Sequence, residues 1–312
     1  MSRMETPLAP GGPHELSSLG RPRRRTRPTR REGTDDRPAP AVDLEERNRQ
    51  LQAELEELRR EQEGFRQALF SAAQVQRRLC ALREWRRGSF EIASEIFPVR
   101  YLSGDFSSLL PLGDTLGLAI GDIVGKGLAA GLWFTHLVGL VRVHAASLAD
   151  PAAAAAAMNR DLCQLQPDPP LTGLFLGRLD LDRGEFLYTN AGLPPALLLR
   201  SGGGVEALEE GGPLLGAVPE GVFRTGRVRL EPGDTLIGYS DGIVECRNGQ
   251  GEEFGQNRLL AAAGGAAGSS AGTLLFSLLG AVQDFAGSRP PDDDFTLLVV
   301  RRRGRERARA AA

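Results

Sequence analysis

Two segments of the sequence repeat one pattern, and this repeat constrains the fold more than any other feature. They read GDTLGLAIGD (113–122) and GDTLIGYSDG (233–242). Each starts with a Gly-Asp turn, continues as an apolar strand, and carries an aspartate, Asp122 or Asp241, where the strand ends. An apolar strand is buried in a sheet, so the repeat predicts a core from which two carboxylates emerge into loops.

Further strands and helices are predicted in blocks over residues 89–303. Strands are expected in 89–105, with the second of two ending at Asp105, in a hairpin over 172–191 with its turn at Asp182–Gly184, at 197–200, at 223–230 and from 295 onward. Helices are expected on either side of Asp150–Pro151 and at 271–286. Strands and helices that come in blocks, rather than in strict βαβ alternation, favour antiparallel sheets layered with helices.

The composition is that of a globular protein, with 41% hydrophobic and 25% charged residues. Three widely spaced cysteines indicate neither a disulfide framework nor a zinc cluster. The most apolar stretch, 127–141, is interrupted by Thr135 and His136 and is shorter than the roughly 20 residues that a membrane span needs. The first residues contain no apolar core of a signal peptide. We therefore expect a protein of the reducing cytoplasm with no membrane segment.

Both ends of the chain are rich in arginine. Residues 1–40 lack apolar periodicity and are rich in Pro, Gly and Arg, which predicts a disordered tail. The run RPRRRTRPTRR could contact nucleic acid, but no aromatic residues accompany it, so a solvated tail is the favoured interpretation. Residues 304–312 are predicted to form a basic C-terminal tail.

An apolar residue recurs at every seventh position from Leu44 to Leu79. With these residues at heptad position d, the a positions include Asn48 and Gln76. Leu at d with an Asn at a favours a parallel two-stranded coiled coil, which predicts a homodimer joined through a helix within 41–87. The alternative is a single amphipathic helix that lies on the domain that follows it.

Aspartates at four places follow or precede apolar strands beside glycine. They are Asp105, Asp122, Asp241 and the run Asp292–Asp294. Oxygen ligands suit Mg²⁺ or Mn²⁺, and glycine allows a backbone carbonyl to come close enough to bind the ion as well. The alternative is that Asp-Gly pairs only form turns. That alternative is weaker for Asp122 and Asp241, because each follows a hydrophobic strand.

Two rival motifs fail on their spacing. A phosphate-binding P-loop at Lys126 would need glycine and Ser or Thr at positions that hold Ile120 and Gly127. The segment GYSDG (238–242) matches the nucleophile elbow of serine hydrolases, but that fold needs a histidine after Ser240. All three histidines of the chain precede Ser240, so the elbow interpretation fails.

Five segments, in order and spacing, resemble the signature blocks of the PPM-type metal-dependent serine/threonine phosphatases, and more narrowly the bacterial SpoIIE/RsbU branch. They are SGDF, GDIVGKGLAAGL, FLYTNAGLPPALLL, GDTLIGYSDGIVECRNGQGEEFG and DDDFTLLVVR. The resemblance covers about 89–303 and implies an α+β fold. That fold is a four-layer αββα sandwich of two antiparallel sheets flanked by helices, preceded by an N-terminal coiled-coil helix. It also implies a centre of two Mn²⁺ or Mg²⁺ ions between the sheets.

The resemblance assigns roles residue by residue. It implies that Asp122 bridges both ions, that the carbonyl of Ile123 completes the coordination of one, and that Asp241 and Asp293 hold the second. Asp105 is implied to bind an ion directly or through a water molecule. Asp293 is chosen because the family's ligand stands two residues before the apolar residue that opens the last strand. A water that bridges the ions would attack the phosphoryl group in line, and activity is expected to rest on Asp122 and Asp241.

Three further residues, Gly121, Lys126 and Asp294, are expected to support the loops of this site. Lys126 is the only lysine among 38 Lys and Arg residues, and it belongs to the family's GKG block. The sequence departs from the family's usual residues at three other positions, Ser103, Ser108 and Leu193. By the same resemblance, these departures bear on substrate contacts and metal affinity and remove none of the expected ligands.

The function that the resemblance implies is removal of phosphate from phosphoserine or phosphothreonine on a regulatory protein. The implied substrate is an anti-sigma-factor antagonist of the STAS type. The expected organisation is a tail (1–40), a coiled-coil or linker helix (41–87), a phosphatase domain (88–303) and a basic tail (304–312). The alternative is a pseudophosphatase, in which the same fold acts by binding in the signalling pathway. Retention of the four aspartate positions favours the enzyme.

Overall fold

The computed structural model describes residues 41–80, 83–144, 149–165, 169–266 and 268–304. The tail predicted at 1–40 and nearly all of the one predicted at 304–312 lie outside these residues. Contacts divide the chain into one unit that ends at Leu58 and a second that begins at Arg59. The described part of the first unit is entirely helical.

The first helix, α1, extends over Ala41–Leu79. In the first unit its apolar side chains are exposed, at 70% for Leu44, 43% for Leu51 and 55% for Leu58. In the second unit Phe65 is also exposed. The predicted helix is therefore present and its seam residues from Leu44 to Phe65 are exposed, but a coiled coil is not part of the single-chain structure.

The C-terminal end of α1 packs on the domain that follows it, and Gln76 makes buried polar contacts there. Its Nε2 donates to the carbonyl oxygens of Ser103 and Gly131, both at 3.2 Å, and its Oε1 accepts from the Ser103 amide at 3.1 Å. The heptad assignment had placed Gln76 in the seam between two helices. The buried bonds to its own domain explain the difference, since they satisfy an amide that a coil seam would leave unpaired.

Two antiparallel sheets form the centre of the second unit. The first contains β1 (Glu84–Arg87), β2 (Phe90–Phe97), β7 (Ala196–Leu199), β8 (Val205–Leu208), β11 (Thr235–Tyr239) and β12 (Phe295–Arg302), in the order β1-β2-β12-β11-β7-β8. The second contains β3 (Phe106–Leu112), β4 (Thr115–Ile123), β5 (Thr172–Asp180), β6 (Glu185–Ala191) and β10 (Gly226–Arg229), in the order β10-β6-β5-β4-β3. A short parallel strand, β9 (Gly211–Gly212), pairs with β6.

Helices cover the outer face of each sheet. They are α2 (Leu128–Val143), α3 (Pro151–Leu165), α4 (Asp241–Val244), α5 (Gly255–Gly265) and α6 (Ala271–Ala286). The break between α2 and α3 falls where the sequence predicts it. Asp150 accepts a hydrogen bond from the Ala152 amide at 3.2 Å, and Pro151 occupies the first helical position, where its missing N–H costs nothing.

Three buried apolar clusters define four layers. The cluster between the sheets includes Ile92, Leu236 and Leu298 from the first sheet and Leu118 and Phe175 from the second. Alternate residues of the same strands face outward, where the second sheet packs on α2 and α3 and the first packs on α5 and α6. This is the predicted αββα sandwich, and the antiparallel sheets are confirmed.

The strand bounds correct two expectations. Asp105 does not end a strand but precedes β3, because residues 98–105 form a loop that is bonded through its backbone to the start of β12. The first sheet also begins before residue 88, since β1 pairs with β2 over Glu84–Arg87. No helix within the described ranges combines the length and the apolar character needed to cross a membrane.

Candidate metal centre

Asp105 is the most deeply buried of the predicted carboxylate ligands, at 2% exposure. Its Oδ2 accepts a hydrogen bond of 2.7 Å from the Thr296 hydroxyl, and its amide donates to the Ser103 hydroxyl at 3.0 Å. Burial and the charge of Asp122 raise the pKa of Asp105 well above its ordinary value. A carboxylate held in this way is costly to ionise unless a cation lies beside it.

Asp122 lies near the end of β4, opposite Gly173 on β5. Burial, followed by the charge of Asp241, raises the pKa of Asp122 to about 6. The next residue, Ile123, is buried and ends the strand. The structure therefore places the Asp122 carboxylate and the Ile123 carbonyl on consecutive residues at the point where β4 leaves the second sheet.

Asp241 is the first residue of α4 and is separated from the end of β11, in the first sheet, by Ser240 alone. Burial and the charge of Asp293 raise its pKa, whereas the Gly242 amide and the charge of Lys126 act in the opposite direction. Asp122 and Asp241 thus follow strands of different sheets, and the charge of Asp241 raises the pKa of Asp122. The tertiary structure brings the ends of the two repeated segments together.

Asp293 lies in the loop before β12 and is half-exposed. Its Oδ2 is 2.6 Å from Nζ of Lys126, and its Oδ1 accepts from the Asp294 amide at 2.9 Å. The Lys126 ammonium also donates to the carbonyl oxygen of Asp292 at 2.7 Å. The lysine of the GKG segment is therefore joined to the aspartate run 166 residues later in the chain.

Asp294 uses both carboxylate oxygens to hold the loop that carries Asp105. Its Oδ1 accepts from the Val99 amide at 2.7 Å, and its Oδ2 accepts from the Ser103 hydroxyl at 2.8 Å and the Gly104 amide at 2.9 Å. Three donors leave this carboxylate little capacity for a metal ion. Asp294 therefore holds the loop before β3, and the choice of Asp293 as the ligand stays a prediction.

Two glycines allow the segments of the site to approach closely. A side chain at Gly121 would overlap the ring of Phe106, so β3 and β4 could not keep their register there. A side chain at Gly104 would lie 3.1 Å from the Ile123 carbonyl oxygen, which shows how near the Asp105 loop comes to the end of β4. The expectation for Gly121 thus has a packing explanation rather than a conformational one.

Sequence reasoning missed the polar residues that orient these acids. The Ser240 hydroxyl is fully buried and accepts from the Thr296 amide at 3.0 Å, while the Thr296 side chain holds Asp105. The only signal in the sequence was a threonine after the first apolar residue of an otherwise hydrophobic strand. The position of Ser240 also removes it as a nucleophile.

The charges at the site fit a divalent cation. No basic side chain in the described ranges forms an ion pair with Asp105, Asp122 or Asp241, and the pKa of all three is raised. Among those same residues, no three His, Cys, Asp or Glu side chains converge closely enough to form a finished metal-binding group. The acids are therefore near enough to one another to raise each pKa without a neutralising basic partner for Asp105, Asp122 or Asp241 among the described side chains.

The chain is similar in sequence to known proteins over most of this domain. The model of the family described as Stage II sporulation protein E (SpoIIE) matches residues 113–303. The phosphoserine phosphatase RsbU of Bacillus subtilis is 26% identical over 249 residues, which cover 79% of this chain and 73% of RsbU. Protein IcfG of Synechocystis is 28% identical over 207 residues, which are 57% of this chain but only 32% of IcfG.

A solved structure gives an independent comparison of the fold. The SiaA-PP2C domain of Pseudomonas aeruginosa superposes with a TM-score of 0.68 at 19% identity. The match covers 77% of this chain and 98% of that domain. At this identity the similarity concerns the fold alone, and it agrees with the four layers described above.

Proposed function

The chain belongs to the SpoIIE family, and on that premise we propose that it is a metal-dependent protein phosphatase acting on phosphoserine or phosphothreonine. One observation carries the proposal. Asp105, Asp122 and Asp241 come from three separate segments, and burial together with neighbouring carboxylates raises the pKa of each. Mutual repulsion of this kind is relieved when a divalent cation binds between the carboxylates.

The proposed ligands are Asp122 for both ions, the Ile123 carbonyl for one, and Asp241 with Asp293 for the second. Asp105 would bind an ion directly or through a water molecule. When bound, two Mn²⁺ or Mg²⁺ ions polarise the phosphoryl oxygens and lower the pKa of a water for in-line attack. The chain supplies ligands from both sheets, so the substrate phosphate is received at the edge where the two sheets meet.

The remaining polar residues orient the acids and keep them in place. Thr296 fixes one oxygen of Asp105 through its hydroxyl. Asp294 fixes the loop that precedes Asp105. Hydrogen bonds of this kind, made by groups behind the ligands, set ligand direction and metal affinity.

The proposed substrate is a phosphorylated regulatory protein of the STAS type in a pathway that controls sigma factors. Support comes from the family membership, from the resemblance of the five sequence blocks and from the similarity to a phosphoserine phosphatase, RsbU. We propose the reducing cytoplasm as the compartment, since Cys80, Cys163 and Cys246 are all free thiols.

We also propose that two copies of the chain join through α1. The seam residues Leu44, Leu51, Leu58 and Phe65 are all more than 40% exposed in the single chain. A parallel coiled coil would bury them at d positions. The pairing would end before Gln76, because that side chain is already bonded to its own domain.

The test is hydrolysis of an aryl phosphate and of phosphorylated STAS proteins, with Mn²⁺ and with excess EDTA. Asp122→Asn and Asp241→Asn should each lower turnover by orders of magnitude while the protein stays folded. Asp114→Asn is the matched control, because Asp114 lies in the turn of the first repeat and its side chain is exposed. Wild-type turnover in EDTA would refute the metal mechanism. Metal binding without turnover on any substrate would favour the pseudophosphatase.

A further inference from the structure

Lys126 lies on a short loop that connects β4 to α2, between two glycines with positive φ. Gly125 has φ 125° and Gly127 has φ 81°, conformations that side-chain-bearing residues rarely adopt. The Lys126 side chain is 44% exposed, and its ammonium reaches across to the loop before β12. A long flexible side chain on such a loop can reach the acidic site and can also leave it.

The ammonium of Lys126 is held by oxygen atoms alone. It lies 2.6 Å from Oδ2 of Asp293 and 2.7 Å from the carbonyl oxygen of Asp292. Its charge also counters the raised pKa of Asp241. A carboxylate oxygen, a carbonyl oxygen and a second carboxylate nearby are the surroundings that a hard metal cation prefers.

Lys126 has no equivalent elsewhere in the site. Among the described residues it is the one basic side chain in an ion pair with any of the four proposed carboxylate ligands. Arg289, a cation of the loop before β12, pairs instead with the side chain of Asp292 at 2.8 Å. Lys126 therefore carries the positive charge at the Asp241–Asp293 side of the site.

We propose that Lys126 is a built-in competitor of the metal ion at this side of the site. Its ammonium binds Asp293 in the metal-free protein and must release that carboxylate before Asp293 can bind an ion. Lys126 thereby sets the metal affinity of the Asp241–Asp293 pair. The inference rests on the proposed function, since it assumes that these two residues are metal ligands.

The alternative role of Lys126 is to support its loop, and it predicts the opposite change in metal affinity when the lysine is replaced by a neutral residue. If Lys126 only positions the loop, a neutral residue there loosens the site and weakens metal binding. If Lys126 competes, the same substitution frees Asp293 and removes a positive charge that repels the ion, so metal binding becomes tighter. The direction of the change separates the two roles.

The experiment uses the full chain, stripped of metal with EDTA and titrated with Mn²⁺ in a calorimeter. The variants are Lys126→Gln, Lys126→Met and Lys126→Arg, with Arg289→Gln as the matched loss of a cation from the same loop. We expect the Gln and Met variants to bind Mn²⁺ roughly two- to fivefold more tightly, the upper part of the range for an exposed ion pair. The Mn²⁺ affinity of Lys126→Arg and of Arg289→Gln should stay within about twofold of that of the wild type.

Thermal unfolding gives a second readout that does not depend on catalysis. Without metal, the Gln and Met variants should melt at a lower temperature than the wild type, because the acids lose a counter-charge. Saturating Mn²⁺ should raise the melting temperature of the Gln and Met variants by more than it raises that of the wild type. The reason is that tighter binding of the ion to the folded state stabilises the folded state more.

The outcomes distinguish this inference from the proposed function. Unchanged or weaker Mn²⁺ binding by both neutral variants, with normal binding by the wild type, overturns the competitor role and leaves the metal site intact. No Mn²⁺ binding by the wild type overturns both. An equal gain in affinity for Arg289→Gln also overturns the inference, because the effect would then reflect general charge rather than the contact with Asp293.

Discussion

The hydroxyl of Thr296 donates a hydrogen bond of 2.7 Å to Oδ2 of Asp105. Thr296 lies in β12 of the first sheet and is fully buried, whereas Asp105 enters β3 of the second. The bond therefore joins the two sheets at the site and fixes one oxygen of Asp105.

This bond makes Thr296 a residue whose loss should change metal affinity. Thr296→Val keeps the shape but leaves a buried carboxylate oxygen without its donor, at a cost of about 1–3 kcal/mol in the free energy of unfolding. We expect weaker Mn²⁺ binding in calorimetry and a lower midpoint in denaturant. Thr296→Ser keeps the hydroxyl and should restore most of the metal affinity. Equal Mn²⁺ binding by the Val variant and the wild type would contradict this assignment.

The metal-free protein should become less stable as pH rises through about 6. The pKa of Asp122 is raised from its ordinary 3.8 to about 6, so the folded state holds a proton that the unfolded state releases at lower pH. Stability from this group is fully present below the unfolded pKa and is lost as pH rises through the folded one. Melting temperatures in EDTA at pH 4 to 8 measure this loss.

Asp122→Asn provides the control for the pH dependence. The variant should be more stable than the wild type at pH 8 without metal, because it removes a repelling charge, and the advantage should vanish near pH 4. With saturating Mn²⁺ at pH 8, the wild type should be more stable than Asp122→Asn. A metal-free wild type whose stability does not fall between pH 4 and 7 would argue against close packing of the acids.

Gly242 should not tolerate a side chain. An alanine Cβ there would overlap the carbonyl oxygen of Asp294, so α4 and the loop before β12 would separate. We expect Gly242→Ala to lower the free energy of unfolding by about 1–3 kcal/mol or more and to weaken Mn²⁺ binding. Gly249→Ala is the matched control, since nothing lies within 4 Å of its added Cβ. Similar stability of the two variants would show that the approach of α4 is looser than described.

Removal of residues 1–58 should abolish the proposed dimer but preserve the catalytic domain. The cut follows the boundary between the two units and keeps Gln76 with its partners Ser103 and Gly131. Light scattering should give a monomer, with Mn²⁺ binding unchanged. A truncated protein that stays dimeric would place the interface in the second unit. Gln76→Leu in the full chain, which loses three hydrogen bonds, should destabilise the domain rather than strengthen a coil.

Local pattern was sufficient to predict the elements with strong periodicity. The helix predicted at 271–286 is α6, and the break at Asp150–Pro151 separates α2 from α3. The turn at Asp182–Gly184 joins β5 to β6. These features depend on residues close in sequence, such as a proline at a helix start or a glycine with positive φ in a turn. The short strands β1, β8 and β9 carry no such local signal.

The proposed ligands Asp105, Asp122, Asp241 and Asp293 were chosen from the residues around each of them and from the resemblance of the blocks that contain them. The sequence alone therefore determined which segments carry carboxylates and what kind of ion they suit. It did not determine the distances between them. Asp105 and Thr296 are separated by 191 residues, and only the packing of one sheet on the other brings them together.

The tertiary structure decided the roles of residues whose partners are remote. In the sequence, Gln76 is compatible with a coiled-coil heptad and with a helix that packs on its own domain. Its hydrogen bond to Ser103 shows that this end of the helix packs on the domain. The three acids of DDDF look alike in sequence, yet Asp294 holds a loop while Asp293 faces Lys126. The physical reason is that hydrogen bonds and ion pairs depend on distance in space. The sequence specifies which groups can bond, and the fold determines which of them meet.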